Sequence, residues 1–239
     1  MKRLGVIGGL GPIATAYFFQ LVIDMTDANC DQEHVEMVIY DCTSIPDRTS
    51  YILHKSEDNP LDKMTEIGVK LHNELVDYIA IPCITAHYFY SELSKKIDTP
   101  IINMVQETAT YLKECGVQKV GIMATDGTIQ SKLFQDEIER MGMHVVLPSE
   151  EEQKKVMELI YDDVKANQPV EMEKFQSVRD YLQQNGAEVI ILGCTELSLI
   201  KRDYEVGPGF IDAMEVLAMK SVVLCGAPLK KQYQSLLTV

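Results

Sequence analysis

Short apolar runs alternate with longer amphipathic stretches along the whole chain, and this rhythm restricts the fold more than any other feature. The runs at 4–8, 35–40, 78–82, 101–104, 119–123, 144–147 and 187–192 show little polar alternation. That is the pattern of strands buried on both faces, as in a parallel sheet. The stretches at 12–28, 60–76, 104–115, 129–141, 150–166, 171–185 and 212–226 read as helices. Parallel neighbours need a crossover between them, which a helix supplies. The fold class is therefore α/β, with a mainly parallel sheet flanked by helices.

The rhythm contains a repeat. Leu4-Gly-Val-Ile-Gly-Gly-Leu-Gly-Pro12 opens one half and Val120-Gly-Ile-Met-Ala-Thr125-Asp-Gly-Thr128 opens another, each as strand, tight turn and helix. Each half closes on a strand that ends in cysteine: Tyr78-Ile-Ala-Ile-Pro-Cys83 and Val189-Ile-Ile-Leu-Gly-Cys194. Cys83 follows Gly9 by 74 residues and Cys194 follows Thr125 by 69. Four anchors in the same order point to two similar, duplicated α/β domains. The expected division is 1–99 plus 208–239 for the first and 100–207 for the second. The tail after Gly207-Pro-Gly209 reads as a strand and helix returning to the first half.

The two cysteines carry the chemistry. Open α/β sheets bind ligands in the crevice beyond the carboxyl ends of their strands. Thiols at two such ends, one per half, would face each other across an interdomain cleft. Such a pair suits removal of a proton from one face of a carbon and its return to the other. A following helix N-terminus favours the thiolate, and Thr85 and Thr195 lie beside the cysteines as candidate anion binders. Glu196 either stabilises its helix dipole or holds a proton near Cys194. The remaining cysteines, 30, 42, 115 and 225, read as structural thiols, and no Cys-x-x-Cys occurs.

Other motifs are weaker. Gly9-x-Gly11-x-x-Ala14 after a strand fits a relaxed dinucleotide fingerprint, but Pro12 removes an N–H that should face a pyrophosphate. Cys83-x-x-x-His87 lacks a second ligand pair, so no metal is expected. Arg48, in a polar loop, could clamp a carboxylate through two N–H groups. Lys165 reads most simply as a helix-surface charge. The formal net charge of −14 excludes a nucleic-acid partner, and no apolar stretch approaches the roughly 18 residues of a membrane span. No secretory leader is visible, so a cytoplasmic location is expected.

Taken in order, Gly8-Gly-Leu-Gly-Pro12, Pro46-Asp-Arg48, Pro82-Cys-Ile-Thr-Ala-His87, Ala124-Thr-Asp-Gly-Thr128, Tyr161 with Lys165, and Gly193-Cys-Thr-Glu-Leu197 resemble the aspartate/glutamate racemase family. The Glu after Cys194-Thr195 is similar to the aspartate-type branch. The resemblance implies a cofactor-independent homodimer that racemises a dicarboxylic amino acid, most closely aspartate. Cys83 and Cys194 would be its two acid/base residues. Thr85, Thr125 and Thr195 would hold the substrate head group, and Arg48 and Lys165 its carboxylates. Gly9, Ile84, His87, Thr128 and Glu196 form a second tier of candidates. Ile84 departs from the family's Cys-Asn-Thr, because its side chain can neither donate nor accept a hydrogen bond. Ile13 also departs, standing where Glu is common. A maleate isomerase of the same superfamily type, or a silent ligand-binding homologue, is the alternative.

Overall fold

The structure, a computed structural model, describes residues 1–238. The first half contains β1 (Leu4–Gly8), α1 (Pro12–Met25), β2 (Met37–Asp41), α2 (Arg48–Ile52), α3 (Pro60–Asn73), β3 (Tyr78–Ala80), α4 (Tyr90–Lys96) and α5 (Met104–Glu114). Then come β4 (Lys119–Ala124), α6 (Asp126–Gln130), α7 (Leu133–Arg140), β5 (His144–Val146) and α8 (Glu150–Glu158). The chain closes with α9 (Met172–Gln184), β6 (Val189–Gly193), α10 (Thr195–Asp203), β7 (Phe210–Asp212) and α11 (Ala213–Leu224). All strand pairings are parallel, in two sheets ordered β2-β1-β3 and β5-β4-β6-β7. The α/β class expected from the apolar runs is the observed one.

Each sheet has an outer core. Ile7, Met64, Leu71, Ile79 and Ile97 fill the space between the first sheet, α3 and α4. Val156, Phe175, Val178, Leu182, Ile190 and Phe210 do the same beneath α8 and α9. A third cluster joins the halves, with Phe18 and Val22 of α1, Val105 and Leu112 of α5, and Leu217 and Ala218 of α11 among its members. Most of α11 is buried around its whole circumference, as a helix packed on several sides must be. The cores thus lie on both faces of each sheet and leave the strand ends free to carry side chains into the cleft.

Several expected elements change in the folded chain. The run 101–104 forms no strand. Ile101 makes one parallel bridge to Ile79, and α5 then starts at Met104 with Asn103 as its side-chain cap. Helix 129–141 is two helices, broken at Lys132, whose φ of 55° is left-handed. Helix 150–166 is α-helical only to Glu158 and continues as a π-helix over Leu159–Lys165. The segment 208–239 does not return to the first half as a unit. β7 pairs with β6 and completes the second sheet, because Phe210 and Ile211 extend its apolar edge, whereas α11 lies between the halves. Thr238 exchanges hydrogen bonds with the backbone of Gly209 and Phe210 along the outer side of β7. Residue 239 lies outside the described residues.

Candidate active site

Cys83 lies just beyond β3 and Cys194 just beyond β6, so the strand-end placement read from the sequence brings both to the sheet edges that face each other. Both thiols are free and buried. They line one small cavity of about 10 Å³ together with Leu10, Asp47, Arg48, Thr49, Ile84, Thr85, Thr125, Lys165, Thr195 and Glu196. Every first-tier candidate read from the sequence is therefore in this wall. Leu10, Asp47 and Thr49 also line it and were not among the candidates read from the sequence.

Each cysteine is held differently. Cys194 occupies the N-cap position of α10, and its thiol donates to Glu196 Oε2 at 2.8 Å. Burial and then the neighbouring Glu196 charge push this thiol well above its ordinary pKa, against the opposing pull of Lys165. Cys194 is therefore a protonated donor at neutral pH. Helix α10 is tied to its surroundings by Ser198, whose hydroxyl donates to the buried Asp212 at 2.7 Å, and by the Lys201–Glu215 pair at 2.6 Å.

Cys83 is positioned from behind by His87. The Met104 N–H donates to His87 Nε2 at 3.1 Å, which leaves the proton on Nδ1, and Nδ1 donates to the Cys83 carbonyl at 3.0 Å. Burial holds this imidazole below its ordinary pKa, hence neutral, despite the carbonyl contacts that oppose the shift. His87 does not line the cavity, so its place in the site is that of a support.

The cations come from opposite halves. Arg48 opens α2 directly after Asp47, which caps that helix by accepting from the Ser50 N–H at 2.7 Å. Arg48 donates to the carbonyls of Leu10 at 2.8 Å, Pro46 at 3.1 Å and Ile45 at 3.5 Å, while its Nε is buried with no partner. Burial opposes its charge, but Cys83, Asp47 and Glu196 outweigh that and keep it firmly protonated. Lys165 ends the π-helix, whose wider turn brings it into the cavity with its Nζ 4.1 Å from the Tyr161 ring centroid. Burial works against this ammonium too. Glu196, Cys194, Tyr161 and Asp47 more than compensate and raise its pKa.

A network of threonine hydroxyls closes the remaining wall. Thr85 lies 3.2 Å from Thr125 and 3.0 Å from Thr128, and Thr125 and Thr128 are 3.2 Å apart. Thr49 joins from α2 at 3.4 Å from Thr125. The halves approach so closely here that a Cβ on Gly127 would stand 3.0 Å from Thr49 Cα. Thr128 supports the ring from outside the cavity. Gly9 lies in the neighbouring glycine turn, where its N–H donates to Thr15 Oγ1 at 2.9 Å and is already spent on the fold. That turn is structural, with Pro12 as the first residue of α1.

Residues 7–220 match the family model described as Asp/Glu/Hydantoin racemase. The chain belongs to that family. It is 29% identical to the broad specificity amino-acid racemase RacX of Bacillus subtilis (strain 168), over 92% of this chain and 96% of that one. Among solved structures, the Picrophilus torridus aspartate racemase superposes with a TM-score of 0.85 at 31% identity, covering 98% of both chains. The glutamate racemase of Francisella tularensis in complex with D-glutamate shares the fold, with a TM-score of 0.68 at 17% identity over 93% of this chain and 80% of that one. The protein is thus a racemase of the family whose motifs its sequence resembles.

Proposed function

We propose that this racemase interconverts L- and D-aspartate, and close dicarboxylic relatives, by a cofactor-independent transfer of protons between the substrate Cα and two cysteines. One observation carries the reading. Two free, buried thiols from the ends of two different sheets line one cavity, with hydroxyls and two cations around them. The names of two relatives support it, one an aspartate racemase and the other a racemase of broad specificity.

The chemistry follows from the arrangement. A thiolate removes the Cα proton from one face while the opposite thiol gives a proton to the other, so the two sulfurs exchange protonation states in each turnover. Cys194, held protonated by burial and Glu196, is the acid in one direction of the reaction, with Cys83 opposite it. The Arg48 guanidinium stands ready to stabilise negative charge at Cys83. Carbanion character at Cα spreads into the head-group carboxylate, which the hydroxyls of Thr85, Thr125 and Thr195 meet by turning from their present partners, one another and Glu196. Ile84 offers no hydrogen bond. The substrate ammonium instead meets the carboxylates of Asp47 and Glu196, which line the same cavity. Arg48 and Lys165 are the partners for the distal carboxylate.

The test is solvent deuterium incorporation at Cα of L- and D-aspartate, in the parent protein and in Cys83→Ser and Cys194→Ser. Each substitution should abolish racemisation, with exchange of one enantiomer surviving where the remaining thiol still serves one face. Near-parental racemisation by either variant would overturn the two-base assignment. Failure of the parent to exchange any dicarboxylic amino acid would favour a silent ligand-binding protein. The family resemblance further supports a cytoplasmic homodimer, which sedimentation and fractionation would check.

A further inference from the structure

Beside the small cavity lies a much larger one of about 360 Å³. Leu10, Asp47, Arg48, Lys165 and Glu196 line both, so they form a common wall between the two spaces. Beyond that wall the larger cavity is mainly apolar, with Pro12, Ile13 and Ala14 from the start of α1, and Ile45, Val164 and Leu199 opposite. Ile13 stands at its mouth and is 53% exposed.

The small cavity has room for roughly one water, so a substrate with Cα between Cys83 and Cys194 requires the two halves to part there, and its side chain then points toward the residues that both cavities share. The aspartate side chain ends there, against Arg48 and Lys165, and leaves the larger cavity unused. We infer that the larger cavity is a side-chain subsite and that the enzyme also racemises amino acids with unbranched aliphatic side chains longer than that of aspartate. This inference rests on the racemase reading above.

Two further observations favour an apolar occupant. Arg48 already donates to three backbone carbonyls, and Lys165 lies over the Tyr161 ring, so an uncharged stem can pass both cations without stripping them of every partner. The second is the identity of the lining residues beyond the shared wall. Aliphatic carbons moved from water against Ile13, Val164 and Leu199 gain about 0.8 kcal/mol per methylene, which is roughly fourfold in kcat/KM.

The experiment measures kcat/KM for Cα deuterium incorporation into 2-aminobutyrate, norvaline and norleucine, with aspartate measured alongside. The subsite predicts a rise of roughly fourfold per added methylene. Ile13→Glu places a charge at the mouth and should fold normally, since the site is half exposed and lies in the first turn of α1, where an acid is favourable. In this variant the norleucine-to-aminobutyrate ratio should fall at least about fivefold. A flat or falling series in the parent, with aspartate exchange intact, would overturn the subsite and leave the racemase reading standing. An unchanged ratio in Ile13→Glu would also overturn it. Absence of exchange with aspartate and every other amino acid would overturn both readings together.

Discussion

Replacing Glu196 with Gln changes one charge at the site while keeping the shape of the side chain, so it tests how Cys194 is held. The thiol donates to Glu196 at 2.8 Å, and burial together with this charge keeps it well above its ordinary pKa. A hydrogen bond to a charged acceptor contributes about 1.5–3 kcal/mol, against about 0.5–1.5 kcal/mol for a neutral one. The substitution therefore removes on the order of 1–2 kcal/mol of preference for the protonated thiol, which is about one pH unit at 1.36 kcal/mol per unit. The sign is definite. Removing a negative neighbour makes the thiolate easier to form, and Lys165, relieved of a competing anion, pulls the same way. In the direction that uses Cys194 as base, the rising limb of kcat/KM against pH should move down by about one unit. The opposite direction needs Cys194 as acid, and its falling limb should move down with it. The assay is the pH profile of both directions from about pH 6 to about pH 10, beside titration of thiolate ultraviolet absorbance in the same variant. A limb that stays in place, or moves up, would refute the argument. A loss of roughly two orders of magnitude without any shift would show instead that Glu196 itself carries the proton.

Three other outcomes are expected. Arg48→Ala should lower kcat/KM for aspartate at least about tenfold, and much less for alanine. It should also cost about 1–3 kcal/mol in urea unfolding, because the Leu10, Ile45 and Pro46 carbonyls lose their donor. Equal kinetic losses for both amino acids would show that Arg48 does not read the distal carboxylate. Gly9→Ala should destabilise the protein by more than about 2 kcal/mol, since φ is +85° and a Cβ would overlap the backbone of Cys42. A near-neutral effect in thermal melts would refute that. Burial, with Asp212 adding to it, raises the Glu215 carboxyl to about 7 against the opposing Lys201. The unfolded chain releases this proton at lower pH, so stability should fall as pH rises from about 4.5 to about 7, by on the order of 2–3 kcal/mol. Glu215→Gln should flatten that dependence, and an unaltered slope in denaturant titrations would show that Glu215 is not its source.

The α/β class and both cysteines could be read from the chain because the signals are local. A strand covered on both faces is apolar at every position, and the residue after it lies at a sheet edge whatever surrounds it. Val189–Gly193 followed by Cys194 is such a case. Thr85 and Thr195 were legible as hydroxyl neighbours of the two cysteines, whereas Thr125, the first residue beyond β4, was marked only by the family resemblance.

What escaped the sequence depends on distances between segments far apart in the chain. Nothing near residue 49 marks Thr49 as the partner of Thr125. That contact exists because Gly127 lets α2 and α6 approach. Lys165 read from its own segment as a surface charge, and only the family resemblance marked it as a carboxylate binder, because the π-helical turn that carries it into the cavity is set by packing. The short run at 210–212 has no periodicity that names its sheet. It joined β6 because the edge of the second sheet was the apolar surface within its reach. Residue types and strand ends were thus decided by local pattern, since burial on two faces constrains every residue of a short segment. The closed threonine ring, the aim of Lys165 and the space beyond Arg48 were decided by tertiary packing, since each is a distance between segments that no local pattern specifies.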